Sequence, residues 1–238
     1  FGMKILVMRI LWFVFARMDV FIIGRLLGKD RLGVYSVGMD LASMPMQKIN
    51  SITNQVAFPA FSRIQDQPRL VTDYLVKAAT MIAFVAFPIF FGIASVAPEI
   101  IHVVLGDKWH GALLPLQVLS LIMPLRMLGA TYPNVLQGIN RVDVAIGNMG
   151  LATLLIGIAL LVGVRWDITG VVTGWAIGYP LVFMLITYRT FKAINGRSLR
   201  LYAALRWPLV SSVVMFAGVA LLRQWLAGSV SEVVQLFL

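Results

Sequence analysis

Between residues 36 and 55, one helical face collects the polar side chains of an otherwise apolar stretch. With Asp40 as the zero of a wheel turning about 100° per residue, Ser36, Ser43, Gln47, Lys48, Asn50, Ser51, Asn54 and Gln55 fall within about 80° of it. Leu41, Ala42, Met46, Ile49, Ile52 and Val56 take the opposite arc. Asp or Lys at membrane depth costs about 2.5–3.5 kcal/mol on insertion scales, so a membrane helix that keeps such a stripe borders water or a polar ligand, or packs on polar groups of its neighbours. Asp40, Gln47, Lys48, Asn50 and Asn54 are the residues expected to line a path. Pro45 lacks the N–H that would bond the Leu41 carbonyl, which predicts a kink in the striped helix.

Three arginines inside apolar runs bring a second chemistry. Arg9 and Arg17 lie about two turns apart, with Asp19 on the flank of Arg9, and Arg126 shares a helix face with Asn134 and Gln137. Guanidinium is always charged and matches phosphate oxygens two at a time, so all three are candidate phosphate contacts. Pairing with Asp19, Asp40 or a backbone carbonyl is the structural alternative.

Bond-making chemistry finds little to work with. His102 and His110 straddle Gly106 and form no helical i, i+4 metal pair. The sequence has no Walker-type phosphate loop, no G-x-S-x-G elbow and no D-x-D pair, and its lack of cysteine excludes thiolate sites. No catalytic residue, metal or cofactor is expected. Gly24 and Gly28 fit G-x-x-x-G, which reads as close helix packing.

The elements that must position these residues are membrane helices. Of 238 residues 60% are hydrophobic and 13% charged, about half the charge of a soluble domain. The net charge of +10 comes from basic residues at the ends of apolar runs or singly inside them, a pattern of orientation signals and lipid contacts rather than of nucleic-acid binding. Runs long enough to span a bilayer cover about 4–27, 32–58, 70–97, 113–139, 142–164, 168–191 and 208–226. A short amphipathic piece, 98–109, interrupts them. Residues 1–192 read as a six-helix bundle, and residues 193–238 as a basic linker, an additional helix and the start of another. Strand periodicity is absent, so the fold class is an all-α, polytopic membrane protein. Pro88, Pro124, Pro133 and Pro180 predict bends in other spans. Loops on the Phe1 side carry more Lys and Arg than those opposite, which places residue 1 in the cytoplasm. Phe1 in place of an initiator Met reads as a segment of a longer protein.

IGRLLG followed by LGVYS, then FPAFSRIQD and APEIIHVVLGDKW, complete the pattern. With these motifs the chain resembles the bacterial polysaccharide exporters, the oligosaccharide flippase branch of the multidrug/oligosaccharidyl-lipid/polysaccharide exporter superfamily, most clearly before Arg141. The resemblance implies two six-helix bundles related by pseudo-symmetry, of which this chain holds the second and one or two extra C-terminal helices. It implies movement of an undecaprenyl-pyrophosphate-linked oligosaccharide across the bacterial inner membrane for lipopolysaccharide, O-antigen or exopolysaccharide synthesis, by alternating access around a cationic cavity. Membrane lipids and the lipid-linked oligosaccharide are the implied partners, with a polysaccharide polymerase and chain-length machinery beside them. Proton or sodium coupling stays open. Two rivals remain: a cation-coupled multidrug exporter of the same superfamily, and a membrane polymerase or glycosyltransferase, which would need large loops bearing catalytic groups.

Overall fold

The computed structural model describes residues 2–227, and the side chains of these other than 50–60, 223, 224, 226 and 227. All regular structure among them is helical: α1 (Gly2–Leu26), α2 (Lys29–Arg63), α3 (Pro68–Ser95), the single turn α4 (Ala97–Glu99), α5 (Leu113–Gly129), α6 (Tyr132–Gly138), α7 (Val142–Gly163), α8 (Asp167–Ala193) and α9 (Ser198–Ala227). Between α4 and α5 a π-helical turn (Ile100–Leu105) and a 3-10 turn (Asp107–Ala112) meet at Gly106, whose φ of 80° suits a residue without Cβ. This is the piece read as too short to cross, and His102 Nδ1 there meets Asp107 Oδ1 at 2.6 Å.

Contacts between helices fix their directions. A Cβ on Gly170 would lie 2.0 Å from the Gly163 carbonyl oxygen, and one on Gly174 would lie 2.9 Å from that of Ala159, so α7 and α8 run antiparallel with backbone against backbone. Lys4 meets Asp143 at 2.8 Å and Met18 reaches Gly157 at the same offset, so α1 and α7 are parallel. Arg200–Asp73 at 2.8 Å and the Phe91–Phe216 ring pair at 6.3 Å make α3 and α9 parallel. Tyr132 with Thr187 and Arg126 with Trp175 do the same for α5–α6 and α8. Among the described residues, seven rods therefore alternate in direction, with the starts of α1, α3, α7 and α9 at one end. Arg31–Asp167 at 2.9 Å ties the starts of α2 and α8 at the other.

Four stretches are long and apolar enough to cross a membrane: Pro68–Ser95, Asp107–Gly138, Val142–Ala193 and Ser198–Leu222. The third is the α7–α8 hairpin, which crosses twice if each helix spans. At 25 and 35 residues α1 and α2 meet the length, but Lys4, Arg9, Arg17, Asp19 and Arg25 in the one, and the polar stripe in the other, keep them below the apolar threshold.

Two boundaries differ from the hydropathy pattern. The run 113–139 breaks at Ala130 and Thr131, because Pro133 cannot donate to the Gly129 carbonyl and α6 must restart with that proline in its first turn. The stretch read as a basic linker is helical from Ser198, because Leu201 and Leu205 share one buried face while Arg200 and Arg206 point outward. The further helix expected near residues 231–238 lies outside the described residues. The core runs through the bundle, with Trp175, Tyr35, Tyr132 and Phe90 as its largest fully buried side chains.

Candidate functional site

Arg126 lies thirteen residues beyond the start of α5, about 20 Å along the axis and close to the middle of the α5–α6 rod. It opens into a cavity of about 540 Å³ bounded by α1, α2, α5, α6, α7 and α8. Gln47, Asn134, Gln137 and Asn148 supply polar wall, and Trp12, Phe15, Tyr132 and Tyr179 supply aromatic wall. The α5–α6 break contributes Gly129, Ala130 and Pro133, so irregular backbone lies where a polar space can satisfy it. A larger hollow of about 650 Å³ on the outer face of α7 and α8 is lined by Leu155, Ile158, Val162, Ile177 and the seam glycines, and it has no charged group to do chemistry with.

The guanidinium of Arg126 is held by rings rather than by a carboxylate. Its Cζ is 4.5 Å from the Trp175 ring centroid and 6.0 Å from those of Phe15 and Tyr179, and Nη1 is 3.6 Å from Met39 Sδ. Phe15 stands edge-on to Trp175 at 5.9 Å, so α1, α5 and α8 share one aromatic cluster. Among the described residues no carboxylate lies within 4 Å of Arg126. Asp19 is buried and already engaged: Tyr35 Oη donates to Oδ2 at 2.8 Å, and the Val20 N–H donates to Oδ1 at 2.8 Å. A cation over aromatic faces keeps its whole charge, which an ion pair would cancel.

Toward the end of the bundle where α1 and α7 start, Asn148 stitches α7 to α8. Its Oδ1 accepts from Arg189 Nε at 2.9 Å and its Nδ2 donates to Thr190 Oγ1 at 3.0 Å. Beside it Tyr132 Oη and Thr187 Oγ1 are 2.8 Å apart, and Gln137 Nε2 reaches Met8 Sδ at 3.7 Å.

Of the residues expected to form a path, Arg126 and Gln47 come together in this cavity. Gln47 Nε2 donates to Ser43 Oγ at 3.1 Å, and Ser43 Oγ donates to the Asp40 carbonyl at 3.1 Å. The Asp40 and Lys48 side chains are exposed and stand outside the cavity wall. Gly38 explains Asp40: a Cβ there would meet Pro115 at 2.7 Å, so this face is pressed on α5, and Asp40 lies about 200° around the helix. Arg9 and Arg17 are also exposed and off the wall, to which α1 contributes Met8, Trp12, Phe15 and Ala16. The side chains of Asn50 and Asn54 lie outside the described residues. Pro45 sits within α2, which continues to Arg63. Trp175, Tyr179, Asn148 and Asp19 were not in the expected set; of these, Asn148 and Asp19 left a visible signal, a lone polar group in an apolar run.

The chain has named relatives. Residues 1–114 match the model of a family described as polysaccharide biosynthesis protein. The chain is 31% identical over 187 residues to the teichuronic acid biosynthesis protein TuaB of Bacillus subtilis (strain 168), covering 79% of this chain and 37% of TuaB. Both matches make the chain similar to polysaccharide biosynthesis proteins. The lipopolysaccharide biosynthesis protein WzxC of Escherichia coli (strain K12) is 27% identical over 194 residues, 80% of this chain and 39% of WzxC. The amylovoran biosynthesis protein AmsL of Erwinia amylovora is 28% identical over 103 residues, 42% of this chain and 26% of AmsL. The chain thus spans less than two fifths of the length of these relatives. No solved structure matches it.

Proposed function

We propose that this chain forms the second bundle of a flippase that moves an undecaprenyl-pyrophosphate-linked oligosaccharide from the inner to the outer leaflet of the bacterial inner membrane. The observation that carries this reading is Arg126: a guanidinium at mid-depth, facing a polar and aromatic cavity, with no carboxylate within 4 Å among the described residues. A charge kept unneutralised at that depth suits an anionic ligand, and the pyrophosphate is the anionic part of such a substrate. Aromatic and amide side chains around it suit sugars, which present apolar faces and hydroxyl edges. The names of the relatives, teichuronic acid, lipopolysaccharide and amylovoran biosynthesis, agree with a glycan as cargo.

No bond is made or broken in this reading, and no cofactor takes part. Residue 1 faces the cytoplasm, and the product passes to a polysaccharide polymerase and its chain-length machinery. A multidrug exporter of cationic compounds fits the cavity less well, because Arg126 would repel them. Deleting the intact gene is expected to leave lipid-linked repeat units on the inner leaflet. If they still reach the periplasm in a strain with no redundant exporter, the flippase reading is wrong.

A further inference from the structure

Two opposite charges in the middle of the bundle, Asp19 and Arg126, do not pair with each other. Asp19 follows Phe15 by four residues on α1, and Met39 follows Tyr35 by four on α2, so each pair shares a helix face with Cβ atoms about 5–6 Å apart. One member of each pair touches the guanidinium of Arg126: the Phe15 centroid is 6.0 Å away and Met39 Sδ 3.6 Å away. The other members hold each other, Tyr35 Oη donating to Asp19 Oδ2 at 2.8 Å. Asp19 is 4% exposed and Tyr35 fully buried. In so dry a setting a carboxylate and a guanidinium attract strongly, and an Arg–carboxylate fork is among the strongest contacts a protein makes. They stay apart because each has partners of its own: a hydroxyl and a backbone N–H for the carboxylate, three rings and a sulfur for the guanidinium.

We propose that Tyr35 is a positioning residue that withholds Asp19 from Arg126, keeping the full positive charge of Arg126 available to a phosphate or diphosphate group in the cavity. This role rests on the anion-binding reading of Arg126 given above. Without the hydroxyl, Asp19 is short of a donor, and the guanidinium packed on Phe15, four residues before it on α1, supplies one. The pair that forms cancels the charge, and the anion loses its contact. Tyr35 touches no ligand itself; it acts by occupying a buried carboxylate that would otherwise neutralise the site.

The test is a small mutant cycle read as binding of inorganic pyrophosphate to the purified intact protein by titration calorimetry. Tyr35→Phe removes a single oxygen and is expected to weaken binding about tenfold, within the usual range of coupling between contacting residues. Tyr35→Phe with Asp19→Asn is expected to return affinity to within about twofold of the starting protein, since the competing carboxylate is gone. Asp19→Asn alone is expected to bind at least as tightly as the unmodified protein. Unchanged affinity in Tyr35→Phe overturns the proposal. So does a double variant as weak as Tyr35→Phe, because the hydroxyl would then act through packing alone. Arg126→Gln is expected to abolish binding in every background. If it binds like the unmodified protein, or if that protein binds no pyrophosphate, the anion contact at Arg126 fails first and the role of Tyr35 falls with it.

Discussion

Replacing Arg126 by methionine should leave the protein as stable as before or more so, while removing its anion contact. The guanidinium is part-buried at mid-depth, and desolvating such an ion costs several kcal/mol even after relaxation. The aromatic cluster returns only part of this: about 2 kcal/mol from Trp175 at 4.5 Å and about 0.5 kcal/mol from each ring at 6.0 Å. The cavity face stays accessible, which lowers the penalty and brings the two sides near balance. Methionine keeps much of the stem volume and packs well against rings. The expected change is therefore between zero and about 3 kcal/mol in favour of methionine, as found when buried charges give way to apolar residues of similar size. Unfolding of the detergent-solubilised protein measures the first half of the prediction, and complementation of polysaccharide export in a deletion strain measures the second. A loss of more than about 2 kcal/mol in the methionine variant would refute the reasoning. Arg126 would then be a fastening between helices, and its unneutralised charge would need no ligand to explain it.

Three further outcomes follow from the geometry. Gly170→Ala places a Cβ 2.0 Å from the Gly163 carbonyl oxygen, where only backbone movement can relieve it, so the protein should lose at least about 3 kcal/mol in detergent unfolding. Asn148→Leu leaves Thr190 and Arg189 without their shared amide and is expected to cost about 1–3 kcal/mol by the same measurement, whereas Asn148→Asp should cost less because its carboxylate still accepts from Arg189. Arg200→Ala breaks an exposed pair with Asp73 at 57% and 50% side-chain exposure, and stability should move by less than about 1 kcal/mol.

The sequence made some of this legible and hid the rest for identifiable reasons. Hydropathy exposes α3, α7 and α8 because their runs are long and nearly free of charge. It cannot see the break at residues 130–131, since Pro133 barely alters a hydropathy average while removing the donor for one carbonyl. It misreads the start of α9 because three arginines in and around LRLYAALRW outweigh the buried pair Leu201 and Leu205. In the site, the polar stripe and the arginines within apolar runs put forward eight residues, of which Gln47 and Arg126 line the cavity. The wheel treats Gly38 as neutral, although the absence of a side chain at that position presses α2 onto Pro115 and turns Asp40 away. The contacts that give Arg126 its character join residues about fifty to more than a hundred positions apart, so no local pattern announces Trp175 or Phe15.

The glycine seam between α7 and α8 has a mechanical consequence. Interfaces made of side chains yield by changing rotamers, but a seam of main chain on main chain has none to change, so the two helices tilt or slide only as one plank. Asn148, Ala152, Tyr179 and Ile186 all stand on that plank, so one whole side of the cavity travels as a unit. Any widening of the cavity must then come from the facing side, where α1 and α2 carry ordinary side-chain contacts and the α5–α6 break offers a ready joint.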